Sequence, residues 1–413
     1  MERAQQLDSS VGSIDALIAR ASAGDTTLQA VLADGLGIDF IGLGEHHRAD
    51  FAISSPEVVL AAIASRTKKI RLGSAVTVLS SDDPIRVFQR FAAVDAASNG
   101  RAEVILGRGS FTESFPLFGF DLGQYEQLFE EKLDLFVELL KQQPVTWRGN
   151  LRPPLDNQSV YPPIEHGTLK TWIGVGGSPE SVVRAAHYDM PMMLAIIGGD
   201  PKRFVPYVDL YHRAFKQFGR PVKPIGVHSP GYIADTDAQA REELFADYKT
   251  MRDRIGKERG WPPMGRDEFL READHGSLYV GSPETVARKI AATVKALGAA
   301  RFAHEHAVAA GEVVGHHDAV HAAELADLVG RDGRSIQHGG EHSTSSNMAS
   351  PTAARVPRAS ARGREAALSG VRDPAALRPG SGHCRTRVDG RGGQRSARPT
   401  TWRTSKRSTS IRR

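Results

Sequence analysis

Between residues 31 and 302, short apolar runs rich in Val and Ile alternate with helical stretches of ten to twenty residues. This alternation constrains the fold more than any other feature. Strands that return in one direction need a helix between them, so the pattern reads as βαβ units on a parallel sheet. Strands are predicted at 39–44 (DFIGLG), 70–79, 102–107 (AEVILG), 171–176 (TWIGVG), 191–197 and 225–233. Helices are predicted near 56–65, 84–98, 124–142, 178–188, 201–218, 236–256 and 283–297. Four of these open on Ser-Pro or Asp-Pro, at Ser55-Pro56, Asp83-Pro84, Ser178-Pro179 and Ser282-Pro283. Proline suits the first helical turn, where its missing N–H has no partner to lose. Six strand–helix units in series, with no GxGxxG turn to open them, favour a (β/α)8 TIM-type barrel over a doubly wound sheet. The stretch before residue 31 has no β-branched run, and VGSIDALIARA reads as a short amphipathic helix.

Charge divides the chain in two. Residues 331–413 hold 18 Lys and Arg against 5 Asp and Glu, whereas 1–330 hold 35 against 43. Only nine of those last 83 residues are large and apolar. Such a segment cannot bury enough surface to offset its chain entropy, so 331–413 is expected to be a disordered basic tail behind a barrel domain at 1–330. It lacks the repeats and interleaved aromatics of a nucleic-acid arm, and nucleic acid is not the expected partner. Alternatively, the tail is the product of a shifted reading frame. No apolar run reaches the ~18 residues of a membrane span, and the first residues lack a secretory layout. A single cysteine, Cys384, excludes an internal disulfide and suits a reducing cytoplasm.

In a parallel barrel the chemistry sits where strands end and loops begin. Three strand ends carry candidate residues. In GLGEHHR, strand alternation puts Gly42, Gly44 and His46 on one face and Leu43, Glu45 and His47 on the other. The two histidines diverge, which argues against a shared metal. His46 either meets a planar ligand above the two glycines or caps the strand end. In ILGRGSF, Arg108 stands between glycines, either as a fork for phosphate or as a surface residue of a turn. In WIGVGGSPES, a strand stops at Gly176-Gly177 and a helix starts at Ser178-Pro179, which brings N–H groups, a helix dipole and the hydroxyls of Ser178 and Ser181 together. That arrangement suits an anion. The phenylalanines of FTESFPLFGFDL form either a wall over a ligand or local core. His304, His306, His316, His317 and His321 have metal-like spacing but no framing strand, so no metal site is assigned.

These blocks resemble the bacterial luciferase-like, flavin-dependent monooxygenase family. The resemblance rests on GEHHRADFAISSP, IRLGSAVTVLSSDDPIRVFQRFAAVDAASNGRAEVILGRGSF, FPLFGFD, TWIGVGGSPESVVRAA and LYVGSPETVARKI, in unbroken order over about 31–302. It implies a barrel that binds reduced FMN and uses oxygen on a small organic substrate. By position it makes His46 the active-site acid or base, and Arg108 the phosphate ligand, with Gly176, Gly177, Ser178 and Ser181 around it. It also implies a non-prolyl cis peptide at Ala75-Val76 beneath the flavin ring, a homodimer, and room for a separate flavin reductase. A deazaflavin hydride-transfer enzyme fits the same motifs. So does a degenerate, non-catalytic barrel, because both ends depart from the family. The first strand is missing, and ARF is followed by AHEHAVAAG in place of an apolar eighth strand. Loss of both would expose two strand edges.

Overall fold

The computed structural model describes residues 26–49 and 51–306. The amphipathic helix expected at 11–21, the first strand, the basic tail, and His316, His317 and His321 lie outside the described residues.

Along the chain the elements are α1 (Thr26–Leu36), β1 (Phe40–Leu43), α2 (Pro56–Ala64), β2 (Arg71–Val78), α3 (Pro84–Ser98), β3 (Ala102–Gly107), α4 (Ser114–Phe118), α5 (Tyr125–Leu140), β4 (Val145–Trp147) and β5 (Leu155–Gln158). They continue with β6 (Lys170–Val175), α6 (Pro179–His187), β7 (Met192–Ala195), α7 (Val205–Gln217), β8 (Ile225–Ile233), α8 (Asp237–Arg259), α9 (Arg266–Asp274), β9 (Tyr279–Gly281), α10 (Pro283–Leu297) and β10 (Arg301–His306). All six expected strands and all seven expected helices are present. At three of the four proline starts the preceding side chain also caps the helix: Asp83 accepts from Ile85 N, Ser178 from Ser181 N and Ser282 from Thr285 N. Ser55 does not.

The parallel strands follow the order β1-β2-β3-β6-β7-β8-β10, with β9 also on β8, and β4 and β5 form a separate antiparallel pair. β3 shows how the curled sheet is layered. Val104 and Leu106 face the helices, in a core shared with Leu72, Ile173, Val175, Leu194 and Val227. The alternate residues face inward. Ile105 packs there with Trp172 and Met193, and the inward side of Gly107 is filled by Val76, which an added Cβ would meet at 2.6 Å.

The expected lack of an eighth strand is corrected by β10. RFAHEH forms one by pairing with β8, from Arg301 beside Gly226 to His306 beside Gly231. Its sequence is polar because its anchors are not an apolar run. Arg301 reaches inward to Glu103, Phe302 packs edge-on against Tyr279 at 4.7 Å, and Gly231 makes room for the His304 ring, which a Cβ would meet at 2.2 Å.

Glu103 closes the lower end of the sheet, where the strands begin. It is fully buried and meets Arg71, Lys170 (3.0 Å), Arg301 (2.7 and 3.1 Å) and Trp172 Nε1 (3.0 Å). Burial alone would raise its pKa. The Arg301 bond and charge, with Lys170 and Arg71, outweigh that and hold it at about 2. Among the described residues no helix is long and apolar enough to cross a membrane.

Candidate active site

At the opposite end, where the strands finish, lies a cavity of about 900 Å³. That is within the range of cofactor and substrate sites. Its floor contains Ala75, Val76, Gly107, Gly174 and Gly176. The Ala75-Val76 peptide is cis, as the resemblance implied. At Gly176 and Gly198 an added Cβ would meet nothing within 4 Å, so these two glycines leave open space inside the cavity.

His46 and His47 both line the cavity but face different partners. The His46 ring stacks on Phe51 (3.9 Å) and meets the edge of Phe111 (5.3 Å). His47 Nε2 pairs with Glu45 Oε1 at 3.0 Å, while Glu45 Oε2 accepts from Val78 N at 3.0 Å. Burial pushes the Glu45 carboxyl up, against the lowering effect of those bonds. The expectation of room for a ligand above Gly42 and Gly44 is corrected. A Cβ at Gly42 would strike Phe40 and Ala75, and one at Gly44 would meet His46 Nε2 at 3.1 Å. These glycines make space for the protein's own rings.

Arg108 and the turn at the start of α6 come together. Gly177 adopts φ +111°, a conformation other residues rarely take, and its carbonyl accepts from Tyr207 Oη at 2.7 Å. Ser178 Oγ donates to Ser181 Oγ at 2.8 Å. Arg108 Nη2 and Arg184 Nη1 both reach Ser181 Oγ at 3.3 Å. Arg108 also pairs with Glu126, and Arg184 with Glu130 (2.8 Å) and Glu126 (3.4 Å). Two guanidiniums, two hydroxyls and a helix N-terminus thus surround one point. Gly177, Ser178 and Ser181 lie just beyond the cavity lining, whereas Arg108 and Gly176 belong to it. The donor set and the open floor fit a planar cofactor with a phosphate end.

The expected phenylalanine cluster splits. Phe111 is cavity wall, Phe115 is buried, Phe118 is half exposed with its ring against His47, and Phe120 lies under the Lys132 ammonium. His304 and His306 sit on β10.

Three features were missed from the sequence. Arg184 stands one helical turn after Ser181, a spacing that could have shown it. Glu126 opens α5 opposite it. The third is α8, which runs past the expected end at 256 and turns Tyr248, Met251, Arg252, Ile255 and Arg259 toward the cavity. Their i, i+3, i+4, i+7 spacing was the available signal, obscured by the charged residues around it. Arg48 ties this helix to the site through ion pairs with Glu258 (2.6 Å) and Glu113.

A curled parallel α/β sheet with a cavity at its strand ends defines a TIM-type class of enzyme fold. The sequence matches luciferase-like monooxygenases over residues 5–301, and the chain belongs to that family. A 4-hydroxyprotoasukamycin monooxygenase from Streptomyces nodosus subsp. asukaensis is 36% identical over 280 residues, covering 60% of this chain and 71% of that protein. The chain spans about half the length of two curated Sinorhizobium fredii relatives, at 33% and 30% identity. Among solved structures, the oxygenating constituent of 3,6-diketocamphane monooxygenase from Pseudomonas putida, in complex with FMN, aligns with TM-score 0.59 and 20% identity, covering 78% of this chain and 94% of that one. An F420-dependent secondary alcohol dehydrogenase in complex with an F420–acetone adduct aligns with TM-score 0.60 and 17% identity, covering 73% and 94%.

Proposed function

We propose that the protein is a monooxygenase that uses reduced FMN and dioxygen to oxygenate a small organic substrate. The observation that carries this reading is the convergence of Arg108, Arg184, Ser178 and Ser181 at the N-terminus of α6, beside an open glycine floor. Arg108 would grip the phosphate, with Ser181 and the first-turn N–H groups completing its hydrogen bonds. Ala75, Val76, Gly174 and Gly176 would form the surface under the ring. Reduced FMN supplies the electrons that activate oxygen. His46, held between Phe51 and Phe111, would take or return a proton at a ring nitrogen. Phe111 and the inner face of α8 would keep water from the reacting atoms.

A second reading is a deazaflavin-dependent hydride transfer, and the likeness of fold to an F420-dependent dehydrogenase favours it. Titration with FMN and with F420, followed by oxygen uptake with each reduced cofactor, separates the two. The expected outcome is FMN binding and substrate-dependent oxygen consumption. Binding of F420 alone, without oxygen uptake, overturns the FMN reading.

A further inference from the structure

We infer that Arg252 selects the organic substrate, and that this substrate carries an anionic oxygen, such as a carboxylate, on a flat apolar body. The inference rests on the reading of the cavity as the place of oxygenation. It is carried by what each charged group around the cavity already does. Arg108 is bound to Glu126, Arg48 to Glu113 and Glu258, and Arg259 donates to the Ser110 carbonyl at 3.0 Å. The acids are engaged as well. Glu45 holds His47 and Val78 N, and Glu272 accepts from Gly199 N at 3.0 and 3.2 Å.

Arg252 differs from these. Its guanidinium lies over the Trp261 ring at 4.5 Å, and its Nη2 makes one long bond to Glu268 at 3.4 Å. Its Nη1 is buried beside Gly256, where an added Cβ would meet it at 3.0 Å, and has no hydrogen-bond partner among the described residues. A guanidinium has five donors in a rigid fork, and a buried donor without an acceptor is costly. Arg252 lines the cavity, and its fork, held only by the long Nη2 bond to Glu268, can take an acceptor offered there. Around it stand Met251, Ile255, Trp261 and Met264, an apolar and partly aromatic wall suited to a flat hydrocarbon. A carboxylate is the acceptor that matches the fork in both charge and geometry.

The test is calorimetric titration of 2-naphthoate and its neutral near-isostere 2-naphthamide, with and without saturating FMN. In the unaltered protein naphthoate is expected to bind about tenfold tighter or more, as for a charge-assisted contact. R252Q should abolish that preference by weakening naphthoate, leave naphthamide unchanged and keep the melting temperature. E268Q should tighten naphthoate, because it removes the carboxylate that competes for Arg252, and a folding defect cannot produce that gain. Equal binding of the two probes, a preference that survives R252Q, or no binding of either overturns the inference. FMN affinity is read separately by absorbance. A naphthoate preference without FMN binding leaves Arg252 in place and removes the cofactor reading, and the converse removes only Arg252.

Discussion

The two ends of the same sheet handle charge in opposite ways, and β3 runs through both. At the lower end Glu103 is buried and gathers three cations and an indole N–H from four other residues. At the upper end, one strand length away, Gly107 and Arg108 face a cavity in which Arg108 is held by Glu126, an acid more than half exposed. The lower groups are locked together by burial, where breaking a pair strands a charge. The upper groups are paired through a side chain that water and a ligand can reach. Stability is concentrated where the strands begin and exchangeable contacts where they end, which is the division expected of a barrel enzyme.

The largest expected effect is at the upper end. His46→Ala should leave FMN binding intact and lower turnover about 10²–10⁴-fold, the usual contribution of a general acid or base. Steady-state oxygen uptake measures this, and unchanged turnover would return His46 to a strand-end role.

Glu103→Ala is the matching break at the lower end. It should cost about 3–5 kcal/mol by leaving buried cations unpaired, read from denaturant unfolding. The same site sets an acid limit. The folded pKa of Glu103, about 2, lies below the ordinary 4.5, so its stabilisation is complete above that ordinary value and is lost as pH falls toward 2. At ~1.4 kcal/mol per pKa unit the loss is on the order of 3 kcal/mol. An unfolding free energy that stays flat from pH 5 to pH 2.5 would contradict the cluster's role.

How far these two ends could be read from the sequence differs for a physical reason. The upper end was largely legible. Backbone chemistry at strand ends leaves local marks, such as the double glycine before Ser178-Pro179 or the Gly–Arg–Gly around Arg108. The lower end was not, because Arg71, Glu103, Lys170 and Arg301 are scattered over 231 positions and meet only when the sheet curls. The same non-local contact hid β10, whose polar sequence is explained by Arg301 reaching across to Glu103. On the upper side, Arg252 and Arg184 were obscured because a charged residue on a charged helix looks solvent-facing until its neighbours are known.

A smaller effect is expected at Arg184, whose charge is shared with Glu130. Arg184→Met should weaken FMN several-fold, less than the loss on removing Arg108 and below the ~1.5–3 kcal/mol of a full charged hydrogen bond. Fluorescence titration measures it, and a loss larger than that of Arg108→Ala would make Arg184 the primary phosphate ligand.

The central claim is that the point where Arg108 meets Ser181 holds a phosphate at the edge of the cavity. The most direct measurement compares the affinities of FMN and riboflavin, which differ only in that phosphate, for the unaltered protein and for Arg108→Ala. The account expects FMN to bind about tenfold to a hundredfold tighter, with the difference collapsing in the variant while riboflavin is unaffected. Equal affinities for the two ligands in the unaltered protein would contradict it.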